Sequence, residues 1–182
     1  MILVTGGTGH IGNVLVRSLL ANGHEVRVLA LPNEDRSIMD DLAVEWVEGD
    51  VLDLASLKQA AKGVDVVYHL AGLISIMPGM DQKVWQVNVE GTRNVIAACR
   101  YANVRRLVYT SSIHSFTRVP AGTLVDESIP FDPDNPIGVY DRSKAAATLS
   151  VLEAVKEGLD AVIACPTGVI GPFDYRKSEM GQ

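Results

Sequence analysis

The sequence predicts an α/β fold, a doubly wound parallel sheet with helices on both faces. Three observations predict it. Short apolar runs alternate with helix-patterned segments from the first residue onward. One of those runs, residues 64–70, is almost wholly apolar, as a strand buried on both faces must be. A glycine-rich string, Thr5-Gly6-Gly7-Thr8-Gly9-His10-Ile11-Gly12, lies between the first strand pattern and the first helix pattern.

Taken in order, residues 2–4 form the opening strand, stopped by the glycines. Ile11, Val14, Leu15 and Leu19 then recur at helical spacing over residues 11–21, and Asn22-Gly23 ends that helix. Residues 25–31 make the second strand, broken by Pro32, and residues 44–47 the third. A helix over 54–61 ends at Gly63 and leads into the fourth strand, 64–70. One long helix is expected over 84–101, the fifth strand over 106–110, a proline-rich loop over 119–136, a helix over about 138–157 and the sixth strand over 159–165. Six strands in such alternation imply βαβ units and a strand order 3-2-1-4-5-6, with a ligand at the switch point across the carboxyl ends.

With 182 residues the chain is long enough for one domain with a substantial core and too short for two large ones. A net charge of −6, with no basic run, speaks against a nucleic-acid partner. Cys99 and Cys165 sit in apolar surroundings without C-x-x-C spacing, which suits reduced structural thiols and a cytoplasmic location. The sequence opens on a strand pattern rather than a leader, and no apolar stretch reaches the ~20 residues that span a bilayer, so no membrane partner is expected. His and Cys show no metal-ligand spacing, and no metal is expected.

The glycine string carries the first functional signal. Glycine is needed where a backbone turns tightly and approaches a pyrophosphate, and the helix N-terminus that follows presents free N–H groups and partial positive charge. A second signal is Tyr140 and Lys144, four apart on a predicted helix and therefore on one face. A phenol with a pKa of about 10 is a poor base, and a neighbouring ammonium favours the phenolate; reaching about 7 takes roughly 4 kcal/mol. Lys144 can supply much of that. A serine hydroxyl beside the reacting oxygen adds a hydrogen bond as charge develops.

Further motifs place these signals in a family. Gly6, Gly9 and Gly12 after Thr5 spell T-G-x-x-G-x-x-G. Residues 49–53 read G-D-V-L-D, 68–72 Y-H-L-A-G, and 88–94 N-V-E-G-T-R-N. Residues 109–112 read Y-T-S-S, 140–144 Y-D-R-S-K, and 166–172 P-T-G-V-I-G-P. In this order and spacing the sequence resembles the extended short-chain dehydrogenase/reductase family, dihydroflavonol reductases and sugar-nucleotide epimerases among them, which have a Rossmann fold. The resemblance implies an NAD(P)-dependent oxidoreductase or epimerase/dehydratase acting by hydride transfer at a carbonyl or secondary alcohol. It makes Tyr140 the general acid/base and gives Lys144 two tasks, tuning Tyr140 and holding the ribose. Ser112, rather than Ser111, polarises the substrate oxygen, and Asn88 holds a water that relays protons to Lys144. The cofactor would lie on Thr5, Gly6, Gly9, His10, Ile11 and Gly12. Asp50 would bond the adenine amino group, with Val51 beside the ring. Leu70, Ala71 and Gly72 would run along the cofactor, and Pro166, Thr167, Gly168 and Val169 would touch its nicotinamide end. His69 is expected to be packed or cofactor-lining, His10 a loop or helix-start residue, and Trp85 part of the core. His114, just past Ser112, is within reach of substrate but is not counted among the site residues.

NAD-preferring relatives carry an acid at the end of the second strand, and a 2′-phosphate needs a cation instead. Here that position is Ala30, followed by Leu31, so both signals are absent. Arg36 is the nearest cation, flanked by Glu34 and Asp35, which would repel a phosphate. NAD and NADP both stay open, with a lean to NADP through Arg36. Members of the family are usually much longer, their second half supplying most of a substrate domain. Residues 1–172 are therefore expected to be the nucleotide-binding domain and 173–182 the start of a substrate region that is largely absent. The partners implied are a small carbonyl, alcohol or sugar-nucleotide substrate and a second copy of the chain. The competing reading is a dinucleotide-binding module without catalysis.

Overall fold

The computed structural model describes residues 1–74 and 79–175. Among these, six strands form one parallel sheet: β1 (Ile2–Thr5), β2 (Val26–Ala30), β3 (Glu45–Glu48), β4 (Val66–His69), β5 (Arg106–Thr110) and β6 (Ala161–Ala164). Their order is β3-β2-β1-β4-β5-β6, the doubly wound arrangement expected. β5 matches its apolar run, β3 is shifted by one residue, β1 runs on to Thr5, and β2, β4 and β6 are trimmed by a residue or two against theirs. Val64, for example, still belongs to the turn before β4, its N–H donating to Ala61.

The side chains of β1 alternate between two cores. Ile2 and Val4 join Val26 and Val28 of β2 and are covered by Val16 and Leu19 of α1 (His10–Ala21). Leu3 joins Val67 and Leu107 on the opposite face. There it meets α2 (Leu54–Ala60), α4 (Gly91–Tyr101) and α5 (Val139–Lys156) through Leu57, Val95, Ile96 and Val151. Each such aliphatic side chain contributes about 1.5–3 kcal/mol when fully buried.

The α1 face is covered unevenly. Val4, Tyr68, Val108 and Val162 pair in one row across β1, β4, β5 and β6, and so share a face. Val4 is 0% exposed under α1, whereas Val162 at the far end is 47% exposed.

The single helix expected over 84–101 is instead a composite. It starts earlier, as α3 (Asp81–Trp85), passes through a π-helical turn at Gln86–Glu90 and continues as α4. Periodicity alone cannot register the wider turn, which tertiary contacts impose. Trp85, expected in the core, is 37% exposed. Among the described residues no helix is long and apolar enough to cross a membrane.

Register brings the functional segments to one edge. Thr5 pairs with Leu29 on one side and His69 on the other, and His69 with Tyr109. The loops that follow β1, β4 and β5 therefore leave the sheet side by side, at the point where the winding reverses. Phe173 takes a left-handed backbone (φ 66°), and its ring lies 4.3 Å from the Arg17 guanidinium of α1. The rest of the expected substrate region, 176–182, lies outside the described residues.

Candidate active site

The glycine string forms a tight loop over the end of β4. Gly6 has φ +72°, and a Cβ there would fall 2.6 Å from the Ala71 nitrogen. A Cβ on Gly12 would fall 2.1 Å from the Gly6 carbonyl oxygen, so loop and helix close only on glycine. Gly9 differs: a Cβ there would meet only that same oxygen, at 3.3 Å, and otherwise face open space. Gly9 is the N-cap of α1 and provides no side-chain cap, which leaves first-turn N–H groups available to an anion. The cradle thus fits a pyrophosphate. His10 opens α1, as expected of a helix-start residue, and Ile11 beside it is exposed.

Behind the loop, Thr5, His69 and Thr92 form a buried polar chain. Thr5 Oγ1 lies 2.7 Å from His69 Nδ1, and His69 Nε2 lies 3.0 Å from Thr92 Oγ1. The imidazole is 0% exposed, and burial lowers its pKa to about 3. His69 is therefore a packed residue, not an acid/base.

Ser112, Tyr140 and Lys144 converge at the same edge. Ser112 lies just beyond β5, where its Oγ caps a short 3-10 turn (Ile113–Ser115) by accepting from the His114 N–H at 3.2 Å. Tyr140 and Lys144 lie on α5 one turn apart. Burial raises the Tyr140 pKa above its ordinary 10, the buried Asp141 carboxylate adds to the rise, and the Ser112 hydroxyl opposes it. Lys144 is buried, and desolvation lowers its pKa to about 8. Its Nζ donates to the Thr110 carbonyl at 2.6 Å and stands 4.9 Å from the centre of the Tyr109 ring. The Tyr109 hydroxyl is buried beside the Thr92 and Thr148 hydroxyls without a well-aligned hydrogen bond, and burial holds its pKa far above 10.

Asn88, in the π turn, works as a clamp. Its Oδ1 accepts from the Leu73 N–H at 2.7 Å. Its Nδ2 donates to the Leu73 carbonyl at 3.0 Å and to Ser143 Oγ at 2.9 Å. A Cβ on Gly72 would lie 3.3 Å from Asn88 Oδ1 and 3.9 Å from Lys144 Nζ, so the chain after β4 passes directly over both.

Toward the other end, Asp50 Oδ1 accepts from the Leu52 N–H, and the Val51 carbonyl accepts from Asn94 of α4. Arg36 is drawn to β3: its guanidinium bonds Glu48 at 2.9 Å and lies 5.4 Å from the Trp46 ring. Glu34 accepts from the Thr8 hydroxyl and, at 3.0 Å, from the Leu31 N–H. Past β6, the Pro166 carbonyl accepts from the Ile113 N–H at 2.9 Å, so the chain enters Thr167, Gly168 and Val169 from beside the Ser112 turn. A Cβ on Gly171 would come within 3.7 Å of His10, so this segment crosses back to the glycine loop.

Sequence reasoning missed several of these roles. Thr92, Ser143 and the Thr110 carbonyl act through contacts made only when distant segments meet. His114, ring edge toward Tyr140 (centroids 6.2 Å), lies 3.5 Å from the buried Asp141 carboxylate. A cavity of about 260 Å3 opens beside them, lined in part by Ile113, Phe116, Val125 and Asn135. Among the described residues no cluster of His, Cys, Asp or Glu could hold a metal.

The pattern of the NAD dependent epimerase/dehydratase family matches residues 2–182. A Methylococcus capsulatus protein named sterol demethylase protein B is 41% identical over 99% of this chain and 55% of its own. A Mycobacterium tuberculosis 3 beta-hydroxysteroid dehydrogenase/Delta 5-->4-isomerase is 32% identical over 95% of this chain and 48% of its own. Among solved structures, the Thermus thermophilus UDP-glucose 4-epimerase in complex with NAD superposes with a TM-score of 0.84. It is 30% identical, over 99% of this chain and 59% of that one. The chain spans about half the length of the curated relatives it matches.

Proposed function

Because the chain belongs to the NAD dependent epimerase/dehydratase family, we propose that the intact protein is an NAD(P)-dependent oxidoreductase or epimerase acting at a carbonyl or secondary alcohol. The observation that carries this reading is the convergence of Ser112, Tyr140 and Lys144 on the sheet edge that also bears the open glycine cradle.

Gly6, Gly9 and Gly12, with His10 and Ile11, would hold the pyrophosphate, Asp50 and Val51 the adenine, and Lys144 and Tyr140 the nicotinamide ribose. Leu70, Ala71 and Gly72 would lie along the dinucleotide, and residues 166–169 against its nicotinamide. The bound dinucleotide supplies a hydride donor or acceptor. Tyr140, with its pKa raised, is protonated at neutral pH and gives its phenolic proton to the oxygen of a carbonyl being reduced. Ser112 steadies that oxygen and favours the phenolate left behind. In the reverse direction the ammonium of Lys144 and the positive ring of the oxidised nicotinamide lower the cost of the phenolate. Asn88 keeps the segment at Leu73, after β4, and Ser143 in place beside Lys144. The cavity beside His114 takes the part of the substrate beyond the reacting carbon.

The protein would work in the cytoplasm, a reading supported by the free thiols of Cys99 and Cys165, and as an assembly of identical chains. The half-length span supports a second statement: residues 1–182 alone bind the nucleotide with little turnover, because the rest of the site would exclude water from the nicotinamide. The test is NADH and NADPH oxidation by the intact protein against a panel of ketones, steroid ketones and sugar nucleotides. Turnover with one class supports the reading, and binding of nucleotide without turnover on any class overturns it in favour of a binding module.

A further inference from the structure

We propose that Glu34 selects NAD over NADP by occupying the place where the 2′-phosphate of NADP would sit. The inference rests on the nucleotide-binding reading above and adds the residue that chooses between the two nucleotides. Residues 31–34 close a turn immediately after β2, with the Glu34 N–H donating to the Leu31 carbonyl at 3.0 Å. The side chain then folds back through the same turn. Glu34 Oε2 accepts from the Leu31 N–H at 3.0 Å, and Oε1 accepts from the hydroxyl of Thr8 in the glycine string. The carboxylate is thereby fixed between the carboxyl end of β2 and the glycine loop. In this fold, that is where the adenosine ribose presents its 2′ position.

A carboxylate only accepts hydrogen bonds, so it receives the 2′-hydroxyl of NAD and has no donor for a phosphate. It also already takes the Leu31 N–H and the Thr8 hydroxyl, two donors that a phosphate at this place would need. A phosphate arriving there would displace one anion with another at close range, and the charge repulsion adds to the lost bonds. The cation that could have offset this is engaged elsewhere, since Arg36 reaches Glu48 and Trp46 on β3. Ala30 offers no acid, and Glu34, four residues further along and returned by the turn, takes its part. The structure thus favours the opposite choice from the one Arg36 suggested in the sequence.

The test is calorimetric titration of the intact protein with NADH and with NADPH, repeated on Glu34→Gln and Glu34→Ser, with thermal melts to verify folding. The expected wild-type result is NADH binding at least ~10-fold tighter than NADPH, a gap of about 1.4 kcal/mol. Both variants should narrow or reverse the gap by ~10-fold or more, Glu34→Ser further, because it frees the Leu31 and Thr8 donors. NADPH binding as tight as NADH in the wild type, or an unchanged ratio in the variants, overturns the role of Glu34 and leaves the nucleotide site standing. Failure of both nucleotides to bind overturns the nucleotide-binding reading and this inference together. The wild-type ratio tests the proposal even if neither variant folds.

Discussion

His69 donates to Thr92, and the direction of that bond is fixed by a third group. The Thr92 hydroxyl spends its proton on the Asn88 carbonyl at 2.6 Å, so at 3.0 Å from His69 Nε2 it can only accept. The imidazole therefore carries its proton on Nε2, and Nδ1 accepts from Thr5 Oγ1 at 2.7 Å. Thr5 Oγ1 in turn accepts the Ala71 N–H at 3.3 Å. One chain of bonds runs from the strand end beside the glycine loop to the turn that holds Asn88, every donor pointing the same way.

A neutral, single-tautomer His69 has a pH signature. Its folded pKa of about 3 lies below the ordinary 6.5, so the unfolded chain binds more protons between those values. Stability from this group is complete above pH 6.5 and is lost as pH falls, with a slope approaching about 1.4 kcal/mol per pH unit. Denaturant melts between pH 4 and 7 should show this slope in the wild type and a flatter one in His69→Gln. Nitrogen NMR should find the Nε2–H tautomer at pH 7, and an Nδ1–H signal would break the assigned chain.

Two glycines in one loop should fail differently. Gly9→Val leaves the fold intact, because Gly9 has extended angles (φ −73°, ψ 170°) and open space beyond its missing Cβ, but it fills the phosphate cradle. Nucleotide affinity should fall by ~100-fold or more in a calorimetric titration, with the melting temperature little changed. Gly12→Ala forces a methyl to 2.1 Å from the Gly6 carbonyl oxygen and should cost about 3 kcal/mol of stability, read by chemical denaturation.

Tyr140→Phe should abolish turnover in the intact protein, by ~1,000-fold or more, while nucleotide affinity stays within a few-fold, since only the proton donor is lost. Lys144→Met should reduce both. Lys144 also has a pH signature: its folded pKa of about 8 lies below the ordinary 10.5. The unfolded chain binds more protons between them, so stability rises with pH from about 8 to 10.5 in the wild type. The same range should be flat for Lys144→Met in melts recorded at stepped pH.

Val162 is the β6 end of the row that contains Val4, and its exposure predicts self-association of residues 1–182. Light scattering should report a dimer or larger species that shifts toward monomer in Val162→Lys. A wild-type chain that remains monomeric at ~100 μM, well above the concentrations at which such contacts act, would show that this face does not drive assembly.

Much of this was legible in the sequence because it is local or periodic. The alternation of strand and helix patterns implied the strand order, the glycine spacing implied the loop, and the four-residue separation of Tyr140 and Lys144 put them on one face of α5. What was not legible depends on segments meeting. Arg36 looked available until β3 set Glu48 and Trp46 beside it. Glu34 read as a repelling charge on a loop, and its bond to Thr8, 26 residues away, leaves no mark on the pattern. Lys144 also donates to the Thr110 carbonyl above Tyr109, a contact that no pattern in the sequence marks.

The wide turn at Gln86–Glu90 works as a spacer of fixed length. A π-helical turn holds one residue more than an α-helical one. Deleting a single residue there would close the wide turn to regular pitch, so that α3 and α4 keep their phase and only the turn itself is rebuilt. Asn88, inside the turn, would leave Leu73 and Ser143, while Gly91 at the start of α4 would keep its bare side toward Val51, whose methyl lies 2.8 Å from where a Cβ would be. The proline-rich loop between the 3-10 turn after Ser112 and α5 can change length without altering the phase of any helix. Here a loss of one residue likewise spares the helices on either side, but it takes the Asn88 clamp out of the site's wall.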